Sequence, residues 1–175
     1  GNGLKYFASK PVLGVLSEYK NNFKKGDTII FSAYKDKYNK NGLDWTKQYS
    51  TFIQQTQNIG MKFILISPTP TFSGVKGGYT CQEEWYRRSW AISPLCFSQI
   101  NKKEWISSNI TAIKIIEKFL IANPGVYYID AFSILCPNNF CKNYDQNELM
   151  YKDEIHLSGY GAMRLSNTFE TIIRS

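Results

Sequence analysis

The sequence predicts an α/β fold: a parallel sheet held between two layers of helices, a three-layer α/β/α sandwich. Three observations predict it. Short apolar runs at 28–31, 61–66 and 126–129 have the length and the β-branched or aromatic content of buried strands. Longer segments around them carry apolar residues at helical spacing. Strand and helix then alternate along the chain, the order that parallel strands joined by crossover helices require.

The elements follow in sequence. Val12, Leu13, Leu16, Tyr19 and Phe23 predict a helix over 11–24, broken at Gly26-Asp27. Thr28-Ile29-Ile30-Phe31 is a buried strand. Trp45, Tyr49, Phe52, Ile53 and Thr56 share one face of a second helix, which stops at Gly60. Residues 61–66 form a second strand, and Ser67-Pro68-Thr69-Pro70 cannot continue it. Residues 71–100 have no periodicity and read as a long irregular excursion. Trp105, Ile106, Ile110, Ile113 and Ile116 predict a helix over 103–122, ended by Asn123-Pro124-Gly125. Val126-Tyr127-Tyr128-Ile129 is the third strand, with Asp130 as the turn former at its end. A last helix spans 159–173, with Ser158 as N-cap and Ala162, Leu165, Phe169 and Ile172 facing inward. In such sheets chemistry gathers at the carboxyl ends of the strands, here residues 32–38, 67–72 and 130–132.

The chain of 175 residues is the size of one domain, and 43% hydrophobic residues suffice for a packed core. No run of 18 apolar residues occurs. The net charge of +7 raises a nucleic-acid partner as a question. The lysines are scattered, however (Lys20, Lys24, Lys25, Lys35, Lys37, Lys40, Lys102, Lys103), and no zinc-finger spacing or RNA-binding signature accompanies them. The reading is a solvated basic surface and no nucleic-acid partner. Such a surface also suits anionic glycans or lipid headgroups.

Cys81, Cys96, Cys136 and Cys141 form two local pairs. Four cysteines allow three connectivities, and the local one, 81–96 with 136–141, is favoured. Zinc is the rival. Its usual spacing fits Cys136/Cys141 only at the edge and does not fit Cys81/Cys96. Disulfides would place the domain in an oxidising compartment. Trp85, Tyr86, Arg87, Arg88 and Trp90 read either as a sugar-stacking surface or as a loop tied down by its rings and disulfide.

His156 is the only histidine. Asp153 precedes it by three residues, just before the capped last helix. A turn of this kind lets the carboxylate fold back onto Nδ1–H, fix the tautomer and leave Nε2 as a base. Gly159 and Gly161 would let the backbone pass closely beneath. The plainer reading is a histidine that packs at a helix start. Asn109-Ile110-Thr111 matches a glycosylation sequon inside a predicted helix and is treated as chance.

The block Asp153-Glu154-Ile155-His156-Leu157-Ser158 and the helix after it resemble the last conserved block of SGNH/GDSL hydrolases. The strand ending in Ile66-Ser67-Pro68-Thr69-Pro70, the Cys81–Cys96 excursion, and Val126-Tyr127-Tyr128-Ile129-Asp130 leading to Leu135-Cys136-Pro137 and Cys141 extend the likeness. Over most of 25–170 the chain resembles the SGNH domain attached to acyltransferase-3 membrane proteins, which O-acylate bacterial surface polysaccharides. The resemblance implies a flavodoxin-like strand order. It assigns His156 as general base and acid and Asp153 as its orienter, with no cofactor and no metal. It also implies an acylated carbohydrate substrate, a membrane acyltransferase domain N-terminal to this one, and the extracytoplasmic (periplasmic) face of a bacterial membrane.

The sequence departs from that pattern in two places. The family nucleophile lies in a Gly-Asp-Ser-His motif after the first strand, and no such motif occurs. The oxyanion-hole asparagine is not recognisable in Ser32-Ala33-Tyr34-Lys35-Asp36-Lys37-Tyr38. Gly1 in place of Met reads as the C-terminal part of a longer protein that lacks the first central strand here. A sheet without that strand would bury unpaired backbone groups at about 1–3 kcal/mol each, so the piece alone is expected to be poorly stable and inactive. The alternative is a non-catalytic glycan-binding or interaction module on the same fold.

Overall fold

A computed structural model of the chain describes residues 22–32, 42–73, 96–146 and 148–175, with side chains from residue 45 onward in the second stretch. The predicted helix over 11–24 lies outside the described residues except for its end, which is a turn: Lys24 N–H donates to Asp27 Oδ2 at 2.8 Å.

Three parallel strands make the main sheet among these residues: β1 (Thr28–Ser32), β2 (Lys62–Ile66) and β4 (Val126–Ile129). Their order is β1-β2-β4, with Ile30 opposite Ile64 and Leu65 opposite Tyr128. Helix α1 (Gly42–Gln57) carries the chain from β1 to β2. Helices α2 (Lys102–Ser108) and α3 (Ile110–Ala122) carry it from β2 to β4.

β2 explains the layering. Its side chains alternate, and both sets are apolar, as in a strand covered on both faces. Phe63 and Leu65 pack with Tyr49, Phe52 and Ile53 of α1 and with Ala112, Ile116 and Phe119 of α3. Ile64 and Ile66 point the other way, into a cluster with Ile129, Trp105, Phe132, Tyr151 and Leu165. Phe169 and Ile172 of α6 (Ser166–Arg174) close that side. The result is the predicted α/β/α sandwich. Each large side chain fully buried here contributes roughly 1.5–3 kcal/mol. α1 and α3 lie on one face, as two crossovers of the same hand require.

Gly60 ends the turn after α1 at φ +79°, a backbone conformation that favours glycine. Lys62 of β2 reaches the other end of the fold. Its Nζ donates to the carbonyls of Ile172 and Ile173 at 3.0 and 3.1 Å, satisfying the last turn of α6.

Four features differ from the sequence expectation. The helix predicted over 103–122 is two helices, because Asn109 turns its side chain back on its own backbone. Its Nδ2 donates to the Trp105 carbonyl at 2.7 Å, a bond that competes with helix continuation. Asn109 is buried at 2% exposure, so the sequon is closed to glycosylation. A short helix α4 (Ala131–Leu135) follows β4, started by Asp130, whose Oδ1 accepts from Ser133 N–H at 3.1 Å. The last helix is also two pieces, α5 (Gly159–Met163) and α6, and Ala162 is exposed rather than inward. Finally, the excursion is not wholly irregular where it is described. Its end forms β3 (Gln99–Asn101), which pairs antiparallel with β5 (Phe140–Lys142). A second small ribbon pairs β6 (Tyr144–Asp145) with β7 (Glu148–Leu149).

Candidate active site

The segment 149–161 is a loop held at both ends. Tyr151 and Leu157 bridge antiparallel, and Lys152 N–H donates to the His156 carbonyl at 2.9 Å. Inside this small arch Asp153 makes an Asx turn. Its Oδ1 accepts from the backbone N–H of Ile155 at 2.9 Å and of His156 at 2.7 Å. The same carboxylate takes the imidazole: Nδ1 lies 2.8 Å from Oδ2 and 3.0 Å from Oδ1. A carboxylate only accepts, so Nδ1 carries a proton, and in the neutral ring Nε2 is the nitrogen with the lone pair.

Desolvation opposes ionisation of Asp153. The backbone N–H groups of Ile155 and His156, and then the imidazole, outweigh it and lower the carboxyl from its usual 3.8 to about 2. The pair is not sealed in. The His156 side chain is 61% exposed and that of Asp153 37%. Among the described residues no serine, threonine or cysteine hydrogen-bonds to Nε2.

What anchors the arch lies on both sides of it. Ser158 caps α5: its Oγ accepts from Gly161 N–H at 3.0 Å and donates to the Leu149 carbonyl. Ser158 N–H donates to the Met150 carbonyl at 2.9 Å. This brings α5 onto the backbone of Met150, and a Cβ at Gly161 would overlap the Met150 carbonyl oxygen. Gly161 therefore has the close-approach role expected of both glycines; Gly159 does not, since nothing lies within 4 Å of a Cβ there. On the other side, Phe72 N–H donates to the Glu154 carbonyl at 2.9 Å. The Phe72 ring, fully buried, meets Tyr151 edge-on at 4.8 Å. The segment after β2 thus steadies the arch at the carboxyl end of the sheet. No periodicity or motif marked Phe72 or Tyr151 for this task.

The other candidates separate from this site. Ser67, at the end of β2, is 4% exposed and its Oγ accepts from Phe132 N–H at 3.0 Å, so it serves the β4–α4 connection. Asp130 is the helix cap described above. Cys136 and Cys141 are bonded to each other, with Cα atoms 4.5 Å apart, which removes them as zinc ligands. Cys96 is also disulfide-bonded, while Cys81 and the segment Trp85–Trp90 lie outside the described residues. Of 32–38 only Ser32 is described. Among the described residues no group of three or more metal-ligating side chains is assembled, and no helix is long and apolar enough to cross a membrane.

No curated protein and no solved structure matches the chain. One family does, over residues 14–171: the SGNH domain fused to AT3 domains. That span includes the sheet, the arch, α5 and the first part of α6. The parallel sheet fits this match, which covers most of the chain, and the chain belongs to the family of SGNH domains fused to AT3 domains.

Proposed function

We propose that this domain carries out SGNH-type acyl transfer or ester hydrolysis on a carbohydrate, with His156 as general base and acid and Asp153 as its positioning residue. The observation that carries the reading is the carboxylate–imidazole pair. Asp153 grips Nδ1 while two backbone N–H groups hold Asp153, so Nε2 is presented as a base on a fixed ring. In the reaction Nε2 takes the proton of a serine hydroxyl as its oxygen attacks an acyl carbon. It gives that proton to the leaving alcohol, which leaves an acyl-serine; it then takes the proton of water or of the receiving glycan hydroxyl as that oxygen attacks, and returns it to the departing serine oxygen. Asp153 stabilises the imidazolium in between. Family membership supports the acyl chemistry, and fusion to AT3 domains supports a membrane-side acyl donor, a cell-surface glycan acceptor and an extracytoplasmic location.

The test uses a form of the protein that carries a Gly-Asp-Ser block, assayed on an aryl acetate and on an acetylated oligosaccharide. His156→Ala should remove activity on both. Turnover at the full rate would overturn the assignment.

A second reading, a glycan-binding module without catalysis, is favoured by one observation: the sequence holds no Gly-Asp-Ser-His motif. It predicts carbohydrate binding that persists in His156→Ala, with no turnover in any form of the protein.

A further inference from the structure

A second concave surface lies away from the arch, on the disulfide loop. The start of α2 and residues 137–139 border a shallow, open cleft of about 480 Å³ lined by Lys102, Lys103, Ile106, Pro137, Asn138 and Asn139. The Cys136–Cys141 bridge closes the loop that forms one wall. Lys102 ties it to the other: its N–H donates to the Asn139 carbonyl and its Nζ to the Cys136 carbonyl, both at 2.9 Å. The cleft is therefore built and does not depend on a ligand for its shape.

Its rim continues onto the β3–β5 ribbon. Cys141 points into the core at 0% exposure, so by strand alternation Phe140 and Lys142 point outward. Phe140 is 45% exposed, and Lys142 lies over the Tyr144 ring at 5.5 Å. Tyr144 in turn meets Phe97, also 45% exposed, edge-on at 5.1 Å.

We propose that this cleft and aromatic strip bind an acidic polysaccharide, with Phe140 stacking on a sugar ring and Lys103 facing a carboxylate or phosphate. Sugar rings present C–H faces that suit exposed aromatic rings and hydroxyls that suit the amides of Asn138 and Asn139. The charge on these elements fits an anion. Lys103 is exposed at the start of α2 and Lys142 lies on the ribbon, while Asp145, the acidic residue of β6, is paired with Arg164. The whole chain carries +7. The ligand class rests on the carbohydrate reading above; the location rests on the cleft alone.

The test is a titration of the 175-residue chain, followed by amide shifts, with a hexameric oligogalacturonate as acidic probe, maltohexaose as neutral probe and an oligothymidylate. The acidic probe should move the amides of 101–106 and 138–144 and bind best of the three. Phe140→Ala should weaken it about fivefold or more, and Lys103→Glu about tenfold. Lys114→Glu makes the same charge change on an exposed face of α3 and should alter affinity by no more than about twofold. Both test positions are exposed, so the fold should survive. Shifts outside the cleft, equal losses from Lys114→Glu and Lys103→Glu, or tighter binding of the oligothymidylate would overturn the proposal. Because the readout is binding, the outcomes separate. Failure here with an active His156 leaves the acyl chemistry standing; binding here with an inactive His156 supports the cleft and the binding-module reading.

Discussion

Replacing Asp153 by asparagine isolates what the carboxylate does, because the shape is kept and only one contact changes character. The amide oxygen can still accept from Ile155 and His156 N–H, as Oδ1 now does at 2.9 and 2.7 Å. The Asx turn should survive. The amide NH2 then stands where Oδ2 lies 2.8 Å from Nδ1. Two donors would face each other there. The cheapest escape is for the imidazole to move its proton to Nε2 and accept at Nδ1. The ring keeps its place and loses its base. In a form of the protein with its nucleophile, activity should fall by roughly 10⁴, the size of this tautomer effect in a serine protease triad.

The stability change has a sign that can be worked out. The carboxyl titrates at about 2 when folded and at 3.8 ordinarily. A lowered folded value means that its contribution is complete above about pH 4 and is lost as pH falls through about 2. Fully counted, the difference is roughly 2.4 kcal/mol; solvent screening at a carboxylate 37% exposed reduces it to about 1 kcal/mol. Denaturant melts should therefore separate wild type from Asp153→Asn by about 1 kcal/mol at pH 7, and the gap should close towards pH 2. The tautomer is read by nitrogen NMR of the neutral ring, and one histidine gives one imidazole spectrum. A variant that keeps Nε2 unprotonated, or a stability gap unchanged at pH 2.5, would refute the reasoning.

Three further outcomes follow from the packing. Gly161→Ala should cost roughly 1–3 kcal/mol by forcing α5 off the Met150 carbonyl, whereas Gly159→Ala should be neutral or stabilising by about 0.5 kcal/mol; paired denaturant melts check both. Lys62→Met removes both carbonyl partners at the end of α6 and should cost about 1 kcal/mol, with faster amide exchange confined first to residues 170–175. Opening Cys136–Cys141 by a double serine substitution should cost about 2 kcal/mol or more from the freed loop, seen as a lower melting temperature than wild type when both are melted without reducing agent, which leaves the Cys96 disulfide intact in each.

The sheet was legible because β2 is apolar at every position of Phe63–Ile66, and only a strand covered on both faces uses such a run. α1 was legible because Tyr49, Phe52, Ile53 and Thr56 hold one face of a period-3.6 pattern through to its stop at Gly60. The break at Asn109 was not. Ile106, Ile110 and Ile113 keep the period across it, and only burial of the asparagine shows that its amide turns inward. α4 has five residues, too few to show a period, and β3 and β5 have three each, whose pairing depends on contacts distant in sequence. At the site, the spacing of Asp153 and His156 announced their contact, since a three-residue turn needs nothing from elsewhere. Phe72 was hidden because its role is a backbone bond to Glu154, and backbone bonds leave no mark on residue type.

That contrast also says how the arch is made. Two sets of bonds act on His156, and they do different things. Those within 153–156 set which nitrogen is protonated; they are local and form whenever the turn forms. Those from Phe72, Ser158 and Gly161 set where the ring stands relative to the sheet; they need β2, β7 and α5 in place. A change in the second set can displace the base with its tautomer intact, and a change in the first can disable it without moving it. This division gives the small-residue helix start after the histidine a reason. The chain must turn onto Met150 within a few residues of the ring, and only a cap at 158 with no side chain at 161 lets it. Asp-x-x-His alone gives a histidine of defined tautomer. The capped glycine turn behind it gives that histidine an address on the sheet.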